Sequence, residues 1–392
     1  MSEENNIPKN WTIKKLGEVC DKISLNGIKI KQKDYLQEGK YPVVDQGQAL
    51  IGGYYNNESF LVPTEPPYII FGDHTKVKKF INFKFIAGAD GVKVLKPHSM
   101  YDPKFFFYLI QTVKIPDKGY ARHFQFLEKE EIPIPPLSEQ QAIVSKIEEL
   151  LSDLENGKQQ LKLAQQQLKI YRQSLVKWAF EGKLTNKDVK AGELPMGWKI
   201  KELIDCADMC LGKMLDKSKN KGNYQYYLRN ISVRWGSFDL EDLEQMRFEE
   251  SEEERYGLKK GDLIICEGGE PGRCAIWKDA VSNMKIQKAL HRVRVKNELS
   301  VNYLFHFMYY SGMSGLLEKY FTGTTIKHLT GTQLKKIEIP LPPIAEQQLI
   351  VDELESKLTI CDKIEETISQ SLLQAESLRQ SILKKAFEGK LV

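Results

Sequence analysis

Two stretches of the chain carry apolar residues at alternating steps of three and four. After Pro135-Pro136 these are Ile147, Leu150, Leu154, Leu161, Ala164, Leu168, Tyr171 and Leu175; after Pro342-Pro343 they are Leu354, Cys361, Ile364, Ile368, Ala375, Leu378 and Ile382. Gly157, Lys357 and Ser371 interrupt the stripes. A narrow stripe with polar flanks held over several heptads predicts two coiled-coil helices. Ser138 with Gln141 three residues on reads as a helix-capping pair, an argument that fails in the second stretch, where Ala345 replaces the serine. Gly182 and Gly389 are placed to end both helices.

Elsewhere the pattern changes period. Tyr41-Pro-Val-Val-Asp, Gly53-Tyr-Tyr-Asn-Asn, Pro67-Tyr-Ile-Ile-Phe-Gly-Asp and Phe83-Lys-Phe-Ile-Ala-Gly-Ala-Asp-Gly mix aromatic and β-branched runs with Gly, Asn and Asp. Gly261-Asp-Leu-Ile-Ile-Cys, Cys274-Ala-Ile-Trp and Leu290-His-Arg-Val-Arg-Val do the same later, and all predict strands bounded by turns. The spacing loosens to helical over 102–112 and 300–320. The prediction is an α+β chain: two mixed, β-dominated domains separated by two long antiparallel helices.

The chain repeats itself. EIPIPPLSEQQAIV at 131–144 returns as EIPLPPIAEQQLIV at 338–351, an offset of 207 that persists through Arg172-Gln173-Ser174 and Arg379-Gln380-Ser381 to the twin AFEGKL boxes at 179–184 and 386–391. The openings match at an offset of 187, Trp11-x-Ile13-Lys14-x-Leu16 against Trp198-x-Ile200-Lys201-x-Leu203. Such a tandem duplication divides the chain into 1–136, 137–187, 188–343 and 344–392, with the short segments as spacer helices. Each helix has a narrow seam and no other long amphipathic partner, so the two are expected to pair, antiparallel if a pseudo-twofold relates the copies. The 42 residues from Glu139 to Phe180 then give a rod of ~63 Å with the large segments at its ends. In the competing arrangement each helix packs on its own globular neighbour.

Composition narrows the class. With 41% hydrophobic and 28% charged residues in 392, the chain is globular and multi-domain. It has no apolar run of membrane-spanning length and no basic-then-apolar start, so a soluble, cytoplasmic protein is expected, with six dispersed thiols in the reduced state. Net charge is only +4, but residues 1–136 carry 19 basic against 16 acidic side chains and residues 185–343 carry 25 against 22. The excess lies in the two large segments, in keeping with a polyanionic partner.

Catalytic signatures fail on inspection. Glu65-Pro66-Pro67-Tyr68 has Glu where a methyltransferase box needs Asn, Asp or Ser, and reads as a strand-initiating turn. Glu181-x-Lys183 and Glu388-x-Lys390 lack the upstream Pro-Asp of a nuclease motif and sit at helix ends. Gly268-Gly-Glu-Pro-Gly272 lacks the Gly-Lys-Ser/Thr of a phosphate loop and reads as a tight turn. No nucleophile, metal cluster or cofactor cradle emerges, and none is expected to be bound by this chain. What remains suits groove reading: loops rich in amide, hydroxyl and basic groups that bond base edges and phosphates. The candidates are Gln46, Gln48, Asn56, Asn57, His74, Thr75, Lys76, Lys78, Arg122 and His123 in the first copy. In the second they are Arg229, Asn230, Arg234, Arg273, Gln287, Lys288, Thr324, Thr325, Lys327 and His328.

Along its whole length the chain resembles the specificity subunits of type I restriction-modification systems. The resemblance rests on the twin Pro-Pro-x-x-Glu-Gln-Gln boxes at 135–141 and 342–348, the helices ending in AFEGKL and the Trp-x-Ile-x-x-Leu openings. It extends to YPVVDQGQALIGGYYNN, IIFGDHTKV, FIAGADGVKVL, GDLIICEGGEPGR and GTTIKHLT. It implies a non-catalytic subunit, one copy per complex, whose two target recognition domains each read half of a bipartite, asymmetric site in double-stranded DNA. It implies helices that dock two modification subunits, which carry S-adenosylmethionine and methylate adenine N6, and restriction subunits that use ATP and Mg. Glu139, Gln140, Gln141, Arg172, Glu346, Gln347, Gln348 and Arg379 recur where the loops do not, so they are candidates for docking or its support. The competing readings are a single-chain modification enzyme or nuclease with an unrecognised site, and a coiled-coil scaffold without DNA specificity.

Overall fold

The computed structural model describes residues 8–392 except 89, 117, 118, 120, 187, 191, 217, 279 and 280, so Tyr120, two residues before the candidate Arg122, lies outside the described residues. The chain divides into two compact units, 1–163 with 368–392, and 164–367.

In the first unit an antiparallel sheet of four strands runs in the order Cys20–Ile23, Val92–Pro97, Tyr68–Gly72, Lys78–Ile81. A second sheet, Lys29–Ile30, Ile86–Gly88, Tyr41–Val44, Gly53–Tyr55, mixes parallel and antiparallel pairs. Tyr68–Gly72 is buried at every position, as expected of a continuous apolar run inside a sheet. Helix α1 (Pro103–Thr112) begins at Asp102, whose side chain accepts hydrogen bonds from Lys104 N and Phe105 N, and it buries Phe105, Phe106, Leu109 and Ile110. Thr12–Lys15 pairs antiparallel with Glu131–Ile134, which leads into the 44-residue helix α2 (Leu137–Phe180).

The second unit repeats this frame. Its four-stranded sheet runs Ala207–Leu211, Leu290–Val295, Leu263–Cys266, Cys274–Ile276. Its second sheet, of three strands, is Glu244–Phe248, Asn223–Leu228, Lys285–Ile286, with one parallel pair where the first unit has two. Helix α3 (Val301–Met313) corresponds to α1, and Lys199–Glu202 pairs with Glu338–Leu341 before helix α4 (Ile344–Phe387), also 44 residues long.

The long helices pack together antiparallel within each unit. In the first, Leu150, Leu154 and Leu161 of α2 line a groove with Ser371, Ala375 and Ile382 of α4, and Gly157 and Ser371, which interrupt the stripe, leave it open. In the second, Arg172 of α2 bonds Asp362 and Glu365 of α4 at 2.5 and 3.1 Å. The seam differs from expectation in one respect: Tyr171, Ile364 and Leu378 are exposed, and Arg172 and Arg379, one residue past Tyr171 and Leu378, are half-buried. Long aliphatic stems can cover an apolar seam while the charged head stays wet, so counting apolar residues misplaces these positions. The capping expectation is corrected too. Helices α2 and α4 begin one residue before Ser138 and Ala345, and the Pro136 and Pro343 carbonyls each accept from two first-turn amides, so no hydroxyl is required there. Gly182 and Gly389 take the left-handed conformation at φ 75° and 69°, as expected.

Candidate nucleic-acid interface

In the first unit three loops and a strap converge at one end of the sheets. The loop after Tyr41–Val44 carries Gln46, whose Nε2 donates to Asp90 O at 3.0 Å and whose Oε1 accepts from His74 N at 3.2 Å. Thr75 Oγ1 donates to Gln46 O at 2.7 Å, so the turn after Tyr68–Gly72 is tied to the same residue. Asp73, nearly fully buried, holds the strap: its carbonyl accepts from His123 N at 2.8 Å, its Oδ1 from Phe124 N at 2.8 Å, and Lys93 Nζ lies 3.2 Å from Oδ2. Lys76 adopts φ 58°, the left-handed turn that swings the chain back into Lys78–Ile81.

The same frame recurs in the second unit with other side chains. Asn230, after Asn223–Leu228, donates from Nδ2 to Gly268 O at 2.6 Å. Arg273 donates to Asn230 O at 3.1 Å and to Glu270 at 3.0 Å. Glu267 takes the place of Asp73, its carbonyl accepting from Leu329 N at 2.7 Å. The strap before it closes on itself, Thr322 and His328 exchanging backbone hydrogen bonds at 2.8 and 2.9 Å, which leaves Thr324, Thr325, Lys327 and His328 exposed.

The candidates therefore separate. Gln48, Thr75, Arg122, Lys288, Thr324, Thr325, Lys327 and His328 are exposed at these ends, where donors and cations can meet base edges and phosphates. Gln46, His74, Lys76, Asn230, Arg273 and Gln287 are half-buried in the loop frames. Others are committed to partners within the fold, some buried and some, such as Asn56, Asn57 and Arg234, at the surface. His123 is fully buried with Nδ1 3.0 Å from Asp73 O. Lys78 donates to Ile110 O of α1 at 2.5 Å, and burial pushes its pKa down to about 8. Asn56 accepts from Lys40 N, and Asn57 caps the turn at Ser59. Arg229 is held by Asp242 and Glu244, and Arg234 by Asp239. Those acids partner the two guanidinium groups within the fold, a pairing that tertiary structure alone reveals. Asp73 and Asp45, which with Lys79 organise the first frame, were not among the sequence candidates. The signal available was a polar residue directly after a fully apolar strand, Phe71-Gly72-Asp73.

The repeated boxes form a second constellation. Gln140 is fully buried: its Oε1 accepts from Asp102 N at 2.8 Å, and its Nε2 donates to Met100 O at 2.8 Å and Pro135 O at 2.9 Å. Gln347 repeats this with Ser300 N, Glu298 O and Pro342 O at 2.8, 2.8 and 2.9 Å. Each glutamine thus straps the start of a short helix to the start of a long one. Glu139 accepts from Trp11 Nε1 at 2.9 Å and Asn10 at 3.1 Å, whereas Glu346 accepts from Thr185 and Asn186, both at 2.8 Å. Only Gln141 and Gln348 of the six box residues are exposed. The Glu-x-Lys of each AFEGKL box is a local ion pair, 2.6 Å for Glu181 and Lys183 and 2.7 Å for Glu388 and Lys390. Among the described residues no cluster of His, Cys, Asp and Glu could hold a metal ion, and no helix is long and apolar enough to cross a membrane.

Two copies of one β-rich unit, each with its own polar loop cluster and each built against the same pair of long helices, define a tandem recognition protein. The chain belongs to the family described as type I restriction modification DNA specificity domain, which matches residues 8–163 and 195–374. It is 30% identical over 266 residues to the type I restriction enzyme EcoKI specificity subunit of Escherichia coli K12, a match covering 66% of this chain and 57% of that relative's length. A relative from Methanocaldococcus jannaschii, the type I restriction enzyme MjaVIII specificity subunit, is 23% identical over 409 residues, covering 98% and 94%. The crystal structure of the HsdS subunit from Thermoanaerobacter tengcongensis has the same fold, with a TM-score of 0.65 at 19% identity over 98% of both chains.

Proposed function

We propose that this chain is the non-catalytic, DNA-reading subunit of a type I restriction-modification complex, present once per complex in the cytoplasm. The observation that carries the reading is the duplicated loop frame: Gln46 and Asn230, Asp73 and Glu267 hold equivalent turns, while the exposed side chains around them differ. Duplex DNA has approximate twofold symmetry, so two similar frames can approach opposite strands equivalently, and different side chains make the site asymmetric. Residues 1–136 and 188–343 serve as target recognition domains, and 137–187 and 344–392 as docking helices, with Gln141, Gln348, Arg172 and Arg379 at or beside the partner surface. Two modification subunits supply S-adenosylmethionine and methylate adenine N6, and restriction subunits supply the ATP- and Mg-dependent steps.

Mapping N6-methyladenine across the genome of cells with and without this gene tests the reading. The expected result is one bipartite motif that disappears with the gene. Exchanging residues 1–136 for the equivalent domain of a relative should change one half of that motif and leave the other. Methylation that is independent of the gene, or a swap that alters both halves, would refute it.

A further inference from the structure

Lys79 is buried, yet its neighbour Lys78 on the same strand points the other way, into α1. The Lys79 ammonium donates to Asp45 O at 2.8 Å and Ala49 O at 2.5 Å, and lies 3.8 Å from Asp45 Oδ1. All three groups belong to the loop between Tyr41–Val44 and Gly53–Tyr55. The Asp45 carboxylate also accepts from Gly47 N at 2.9 Å, and a Cβ on Gly52 would crowd it. The loop is therefore wound around the buried Lys79 ammonium and its half-buried partner Asp45. Its tip carries the exposed Gln48, and Gln46 within it bonds His74 N and Thr75 Oγ1 of the neighbouring turn. In the second unit Ala275 stands at the position of Lys79, and the corresponding loop is held from within by Arg229 on Asp242 and Glu244.

We infer that Lys79 is a positioning residue for one half-site: its ammonium sets the loop that presents Gln48 and, through Gln46, the turn that presents Thr75. This rests on the DNA-reading function proposed above. Removing the ammonium while keeping the stem leaves two loop carbonyls and a carboxylate without their counter-charge, so the loop loosens although the sheet beneath it keeps its apolar packing. A loosened reader loses discrimination between bases before it loses phosphate contacts, which are made by many groups and tolerate movement.

The test uses the full chain in cells with its modification partner, comparing wild type, Lys79→Met and Lys79→Arg by methyladenine mapping. Lys79→Met should relax one half-site, with discrimination there falling about ten-fold or more, while the other half-site stays unchanged. Lys79→Arg should restore part of it. Hydrogen exchange on the purified chain should quicken over 45–52 and not in the strands of the first unit. An unaltered motif in Lys79→Met, or loss of both half-sites together, overturns the inference; so does general exchange throughout the first unit, which would mark Lys79 as a fold-stabilising residue only. A wild-type chain that directs no bipartite methylation fails the underlying reading instead, and that result appears before any variant is made.

Discussion

The two units make the same buried clasp and secure it differently at its edges. Gln140 and Gln347 have matching partners, and Phe387 on Phe105 in the first unit is answered by Phe180 on Tyr303 in the second. Around that common centre the pairs diverge. Trp11 donates to Glu139, whereas the indole nitrogen of the equivalent Trp198 is buried without a partner among the described residues, Thr185 and Asn186 having taken Glu346. Arg172 meets two carboxylates, Asp362 and Glu365, but the residues at the matching positions opposite Arg379 are Glu155 and Lys158, which pair with each other at 3.4 Å, and Arg379 turns to Gln111 instead. Duplication preserves the bonds that many buried groups share, since losing any one strands several others, while single surface pairs worth little each are free to drift.

The largest effect is expected where the units agree. Replacing Gln140 or Gln347 by alanine strands one amide and two carbonyls in either case and should cost about 2–4 kcal/mol locally. Hydrogen exchange resolves this by unit: Gln140→Ala should accelerate α1, Gln347→Ala should accelerate α3, and by similar factors. Unequal factors would break the equivalence of the clasps.

Where the units differ the responses should too. Trp11→Phe gives up a bond to a carboxylate and should cost about 1–2 kcal/mol more than Trp198→Phe, which loses the same ring area but no bond. Denaturation of the two full-length variants, followed by exchange within each unit, measures the difference; equal costs would mean that the Glu139 bond contributes nothing.

The smallest expected effect is a lysine-linked rise of stability with pH in the first unit. Lys78 in the first unit stands at the position that Cys274 fills in the second. Burial lowers the Lys78 pKa from its ordinary 10.5 to about 8 and raises that of the Cys274 thiol well above its usual value. Between those lysine values the unfolded chain binds more protons than the folded one, so stability rises with pH. From pH 7 to 9 wild type should gain about 1 kcal/mol relative to Lys78→Met in the exchange of the first unit. Parallel curves for the two proteins would place the ammonium in water.

Much of this architecture was legible in the residues. The duplication, both long helices with their glycine ends, the short helices near 103 and 301 and the buried strands at 68–72 and 263–266 all follow from local periodicity and from repeated words, which do not depend on how distant parts meet. The loop clusters were legible only as composition. Hydroxyls, amides and cations marked segments that the structure gathers into these clusters, and within them Arg229, Arg234, Asn57, Lys78 and His123 are tied to carboxylates, turns or the interior.

The sequence by itself determined that there are two copies, where each helix and its polar flanks run, and which segments carry the polar loops, because each of these is encoded within a few turns of chain. Tertiary structure decided the rest. It made residues 368–392 part of the first unit, where Phe387 packs on Phe105 and a side chain at Gly389 would collide with Pro8. It turned the repeated central glutamine of each box inward as a strut, and it chose Lys79, on a strand outside the loop, to hold a loop. These outcomes depend on which groups from remote segments are left unsatisfied once the sheets are packed, and a buried donor or charge takes whatever partner the finished fold brings within reach.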